Sequence, residues 1–242
     1  MIYINQVKNV KPVEGRNIYP YNIPSIANLR ELEFRKSVTF IIGENGSGKS
    51  TLIEAIAINS GLNPEGGTRN FNFNTQESHS CLFNDLRLVR SAYREKDGFF
   101  LRTESFYNVA TEIDKVFQLD KYKRDLYYGG SLHECSHGES FLALVKNRFS
   151  GKGLYIFDEP ESALSINSQL TLLVMMKNLV DKDSQFIIAT HSPILMAYPD
   201  ADIYCVTDQG LQLAAYEKTE QYMLMKYFIN NHKKMIADLG LL

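Results

Sequence analysis

Cysteine is scarce in this chain: 242 residues include three, Cys81, Cys135 and Cys205. They are odd in number and widely spaced, which excludes a disulfide framework and a zinc-knuckle pattern and fits a reducing, cytoplasmic setting. An excess of one charge is also lacking. Lys and Arg number 26 against 28 Asp and Glu, a formal net charge of −2, so no global basic field draws the chain to nucleic acid or an anionic membrane. No apolar run approaches the roughly 20 residues that span a bilayer, and no direct membrane insertion is expected. The segment from Met1 to Val10 lacks the cationic start and apolar core of a signal peptide. Internal repeats are absent, as is a long heptad insertion between Gly61 and Ser136, which excludes solenoids and coiled-coil arms. What is present, 44% hydrophobic and 22% charged residues, is ordinary for one globular domain.

The order of elements reads as α/β. Short strands broken by turns occupy residues 1–42 and end in the β-rich run Val38-Thr39-Phe40-Ile41-Ile42. A Gly-rich loop follows, then a helix from Ser50 to Asn59 stopped by Gly61. Residues 62–80 are polar and turn-rich, and residues 81–150 are expected to form a small inserted subdomain with a helix from Ser136 to Arg148. Two buried-type strands, Leu154 to Phe157 and Gln185 to Ala189, flank an amphipathic helix through Leu170, Leu173, Val174 and Met176. That alternation predicts a mainly parallel sheet with helices on its faces, an antiparallel β portion at the N-terminus, and a terminal hairpin at residues 203–214.

Three segments carry chemistry. Gly43-Glu44-Asn45-Gly46-Ser47-Gly48-Lys49-Ser50, continued by Thr51, satisfies G-x-x-x-x-G-K-[ST] between a buried strand and a helix. The glycines let successive N–H groups and a helix N-terminus face phosphate, Lys49 adds a point charge, and the Ser50 hydroxyl can ligate Mg²⁺. Leu154 to Pro160 is an apolar strand tipped by two acids. Asp158 suits a Mg²⁺ ligand, and Glu159 suits a group that polarises the attacking water. Ser136-His137-Gly138-Glu139-Ser140 contains Ser-x-x-Glu, a capping box that opens a helix; the same helix N-terminus is also an anion site. His133, Cys135, His137 and Glu139 alternate as strand-borne metal ligands would, but a helix beyond Ser136 scatters them around its axis.

In this order the motifs resemble those of the ABC ATPase class, a P-loop NTPase fold. Ser136 and Gly138 match its Leu-Ser-Gly-Gly-Gln signature, while Cys135, His137 and Glu139 depart from it. Glu161-Ser162-Ala163-Leu164-Ser165 resembles the Ser-Ala-Leu-Asp loop of the class, with Ser165 replacing Asp. His191, in Thr190-His191-Ser192-Pro193, matches the histidine that contacts the γ-phosphate. The resemblance implies a glutamine that senses Mg²⁺ and water; Gln76 is the best placed, in a stretch that reads equally well as a polar edge strand. It also implies an adenine-stacking aromatic, for which Tyr19 and Tyr21 are candidates. The chain is further similar to small stand-alone bacterial ATPases related to SMC and RecF-like heads.

The resemblance implies ATP and Mg²⁺ as ligands, and ATP hydrolysis in a homodimer that forms with ATP. It points to a switch in DNA repair or anti-phage defence with a nuclease or other effector partner. Nucleic acid is a partner that no motif specifies. The alternative is the energy-coupling ATPase subunit of a membrane transporter. A nucleotide-binding regulator that does not hydrolyse is a third class, against which Glu159 argues.

Overall fold

The computed structural model describes residues 1–11, 17–68, 80–118, 120–131, 133 and 136–241. Gln76 and Cys135 fall outside them. Two sheets share the chain. Strands β1 (Ile4–Asn9), β2 (Glu31–Glu33) and β4 (Leu86–Arg90) form an antiparallel three-stranded sheet in the order β2-β1-β4. The larger sheet has β3 (Val38–Ile42), β5 (Asp97–Arg102), β6 (Gly153–Asp158), β7 (Gln185–Ala189), β8 (Asp202–Thr207) and β9 (Gly210–Leu213). Its order is β5-β6-β7-β3-β8-β9, parallel except for the terminal hairpin β8-β9. The α/β class with a mainly parallel sheet and an N-terminal antiparallel portion is the one expected.

Continuous burial of β3, β6 and β7 follows from cover on both faces. On one face, Phe40, Ile42, Tyr155, Phe157, Phe186 and Ile188 pack with helices α3 (Phe106–Val116), α5 (His137–Arg148) and α6 (Ile166–Val180). On the other, Ile41, Ile156, Ile187 and Ala189 meet α2 (Lys49–Asn59), which lies between the two sheets. Helix α2 is therefore apolar around most of its circumference, with residues 52–57 buried. The short α1 (Pro24–Ala27), α4 (Lys121–Tyr128) and the C-terminal α7 (Glu220–Asp238) complete the chain. The span 81–150, expected as an insert, supplies one strand to each sheet before its three helices. The Phe99-Phe100-Leu101 run of β5 is fully buried at the edge of the large sheet, which explains its place there.

The parallel register sets the functional edge. Ala189 of β7 pairs with Asp158 of β6 on one side and Ile41 of β3 on the other. The chain therefore leaves three neighbouring strands at the same level, through residues 43–50, 158–161 and 190–193. Ligands of open α/β sheets bind at this carboxyl edge.

A buried amide helps to join the two sheets. Gln185 Oε1 accepts from the Tyr3 and Ile4 N–H groups at 2.8 and 2.9 Å, and its Nε2 donates to the Ile4 carbonyl at 2.9 Å. Gln185→Leu strips three buried backbone groups of their partner and is expected to cost about 2–4 kcal/mol. Gln185→Glu, which sets an oxygen against the Ile4 carbonyl, is expected to cost no less. Urea unfolding of both variants checks this; a loss below about 0.5 kcal/mol would contradict the role of the amide.

Candidate active site

Loop 43–50 is shaped by backbone that favours glycine. Gly46 has φ +78° and Gly48, the N-cap of α2, φ +96°; a Cβ on Gly48 would lie 3.0 Å from Ile26 and 3.1 Å from Ser25 Oγ. Ser25 Oγ donates to the Ser47 carbonyl and fixes the loop from α1. Lys49 is buried at the start of α2, and its Nζ donates to the Gly43 and Glu44 carbonyls at 3.0 and 2.8 Å. Burial lowers its pKa, opposed by the nearby carboxylates of Glu159, Asp158 and Glu161. Two clefts flank the loop. One, of about 610 Å³, is lined by Tyr19, Lys49, Ser50, Thr51, Glu104 and Glu159 among others. The other, of about 510 Å³, runs along residues 42–47 to Val206 and Glu220. Tyr19 also contacts Thr51 through its hydroxyl, whereas Tyr21 is buried with its hydroxyl on Asp85 and does not line the cleft.

Asp158 ends β6 facing α2. Ser50 Oγ donates to its Oδ1 at 3.1 Å, and Arg102 Nε lies 3.8 Å from its Oδ2. Arg102, at the end of β5, also pairs with Glu54 at 2.9 Å and Glu104 at 3.3 Å. Burial pushes the Asp158 carboxyl up to about 6 despite Arg102 and the Ser50 hydroxyl. The all-oxygen pair of Ser50 and Asp158 fits Mg²⁺, which takes one or two protein ligands and completes its shell with phosphate and water. Among the described residues no group of three or more His, Cys, Asp or Glu could hold a metal. His133, His137 and Glu139 therefore form no such centre with the other described residues.

Glu159 stands at φ +49°, an unusual backbone for a residue with a side chain. Thr103 Oγ1 holds it there by donating to the Glu159 and Asp158 carbonyls at 2.8 and 3.3 Å. Its carboxylate is part-exposed toward the cleft, 3.5 Å from His191 Nε2. His191 Nε2, Ser47 Oγ and Arg102 Nε are buried without hydrogen-bond partners among the described residues. Ser47 Oγ in the loop and His191 Nε2 beside Glu159 suit a polyanionic guest. The structure brings Lys49, Ser50, Asp158, Glu159 and His191 to one edge of the sheet.

Ser136 and Gly138 are elsewhere. Ser136 is the exposed N-cap of α5 in a full capping box: it accepts from the Glu139 N–H, and its own N–H donates to Glu139 Oε2 at 3.0 Å. Neither residue lines the two phosphate-loop clefts. Gly138 has a packing reason for lacking a side chain, since a Cβ would come within 2.8 Å of the Ala163 carbonyl. Ser165 caps α6 by accepting from Ser168 N–H at 3.2 Å, a task that Asp performs equally well. Sequence reasoning missed Arg102, Glu54 and Thr103; no local pattern marks them, because the pairing of β5 with β6 brings Arg102 and the following Thr103 to Asp158, and Glu54 meets Arg102 from α2.

The raised carboxyl of Asp158 has a stability signature. Between its ordinary 3.8 and about 6, the native state binds more protons than the unfolded one, so stability falls as pH rises through that window. Asp158→Asn is therefore expected to stabilise the ligand-free protein by about 1–3 kcal/mol above pH 7, with the gain fading below about pH 4. Thermal unfolding across pH checks it; a variant no more stable than wild type at pH 7.5 would contradict the burial argument.

Comparison with known proteins agrees with this geometry. A family model described as an AAA domain matches residues 16–192. The nisin transport ATP-binding protein NisT of Lactococcus lactis subsp. lactis is 28% identical over 197 residues, covering 65% of this chain and 30% of that protein. The energy-coupling factor transporter ATP-binding protein EcfA2 of Methanospirillum hungatei is 26% identical over 218 residues, covering 81% and 52%. The chain thus spans between about a third and half of the length of these relatives. Among solved structures, cbiO1 from Clostridium perfringens, part of the ABC transporter complex cbiONQ, aligns over 100% of both chains with a TM-score of 0.53 and 16% identity, a likeness of fold. A family match across most of the chain, on a sheet whose carboxyl edge carries Lys49, Ser50, Asp158, Glu159 and His191, shows that the chain belongs to the AAA-domain family.

Proposed function

We propose that the chain binds Mg-ATP at loop 43–50 and hydrolyses it in a site that a second copy completes. The observation that carries this reading is Glu159, poised beside His191 and the phosphate loop with its carboxylate free of the Asp158–Ser50 pair. The loop N–H groups and the α2 N-terminus receive the phosphates, and Lys49 exchanges its two carbonyl partners for phosphate oxygens. Mg²⁺, held through Ser50 and Asp158, would neutralise charge on the β- and γ-phosphates. Glu159 orients the attacking water and accepts its proton, and His191 donates through Nε2 toward the γ-phosphate. Placement of Ser136 and Gly138 outside the clefts supports their action on a partner's nucleotide, where the capped α5 N-terminus favours an anion.

In this reading ATP bridges two copies and hydrolysis releases them, a switch that drives a nuclease or other effector in DNA repair or defence. The support for that pathway is the sequence resemblance to stand-alone heads. The transporter names of the curated relatives favour a second reading, an energy-coupling subunit. Among the described residues no helix is long and apolar enough to cross a membrane, so in that role the membrane-spanning part lies outside them. Turnover of ATP without any membrane component supports the switch; strict dependence on one supports transport.

Lys49→Ala is expected to weaken ATP binding at least about 30-fold by calorimetry, since one partner of a buried charge contact is lost. Wild-type affinity would refute the phosphate-loop reading. Glu159→Gln is expected to bind ATP, turn over about 10²–10⁴-fold more slowly, and elute as a dimer with Mg-ATP in size exclusion with light scattering. An inactive variant that stays monomeric would retain the chemistry and remove the dimer switch.

A further inference from the structure

The carboxylate of Glu161 is not needed for phosphate, metal or water in the reading above, yet both of its oxygens are engaged. Thr190 Oγ1 donates to Oε2 at 2.7 Å, and the backbone N–H of His191 donates to Oε1 at 2.5 Å. Glu161 sits in the tight turn Pro160–Ala163 directly after the Glu159 position, while Thr190 and His191 leave the neighbouring strand β7. One side chain therefore joins the two loops that carry the proposed base and the proposed γ-phosphate contact.

Two donors from the His191 loop converge on this side chain. A neutral amide offers one acceptor oxygen where two donors converge; a carboxylate offers two. Around this bridge the His191 loop is pinned further. The Thr190 N–H donates to the Ile41 carbonyl at 3.2 Å, and the Ser192 hydroxyl donates to Gln169, whose Nε2 holds the Leu164 carbonyl at 3.0 Å. The backbone of His191 itself is fixed by Glu161, and its imidazole carries the unpartnered Nε2 at 3.5 Å from Glu159.

We propose that Glu161 is a positioning residue for ATP hydrolysis, holding His191 beside Glu159 through the His191 backbone N–H. Each of its oxygens accepts a bond from the His191 loop, which directs its action to His191. The inference rests on the reading of His191 as the γ-phosphate contact, and its test separates the two.

The test measures phosphate release and ATP affinity for Glu161→Ala, Glu161→Gln, His191→Ala and the double variant Glu161→Ala/His191→Ala. Glu161→Ala is expected to lower kcat about 10- to 100-fold, the cost of a misplaced catalytic group, with the Kd for ATP changed less than about threefold. Glu161→Gln keeps one acceptor and is expected to fall between Ala and wild type. In the His191→Ala background, Glu161→Ala is expected to cost less than about threefold more, because the group it positions is gone. Wild-type kcat in Glu161→Ala, or losses that multiply in the double variant, would overturn the proposal. Should Glu161→Ala not fold, the isosteric Glu161→Gln takes its place in the same cycle with the same two criteria. Wild-type turnover in His191→Ala would instead refute the role of His191 on which the proposal stands.

Discussion

Everything in this site depends on the parallel pairing of β6, β7 and β3, with Ala189 level with both Asp158 and Ile41. A shift of one residue in either pairing would turn every side chain of the strand to the opposite face. It would also move the acids or His191 by about 3.3 Å relative to the phosphate loop, beyond what catalytic geometry tolerates. The register is held by burial on both faces of the three strands, where Phe40, Phe157 and Phe186 point to one helical layer and Ile41, Ile156 and Ile187 to α2 and the small sheet. The hydrophobic core and the active geometry are thus one specification.

The charges at that edge are arranged at a cost to the ligand-free protein. Asp158 is buried to the point that its carboxyl holds a proton up to about pH 6, although Arg102 and Ser50 lie beside it. Lys49 is buried with its ammonium on the carbonyls of its own loop. Glu159 occupies a left-handed backbone held by Thr103. The buried carboxyl and the left-handed backbone are locally unfavourable, the pattern expected where stability is given up for function.

Much of this was legible in the sequence, for physical reasons. Val38 to Ile42 and Gln185 to Ala189 read as strands because two-sided burial requires continuous apolar runs, and these are the bounds observed. The capping box at Ser136 is a local interaction and needs no tertiary context. Residues whose meaning comes from pairing were not legible. β5 was hidden by its charged ends, Asp97 and Arg102, and the link from Arg102 to Asp158 arises only when β5 joins β6. Gln185 reads as an ordinary strand residue until its amide meets β1, and Glu161 as one more acid in an acidic turn until it meets His191.

In the proposed reading, the placement of the signature apart from the phosphate loop leaves the site half built within one copy, and a second copy would supply the remainder. The direct test mixes two inactive variants, Lys49→Ala and Ser136→Asp. Asp accepts the same Glu139 N–H bond at the cap while setting a negative charge against the partner's phosphate, and it avoids the clash with Ala163 that a side chain at position 138 would meet. In a mixed dimer one of the two sites has both an intact phosphate loop and an intact signature. The account predicts that mixing restores phosphate release, toward about half the wild-type rate per mixed dimer by this count of sites. Mixed dimers that form with ATP yet stay inactive would contradict it.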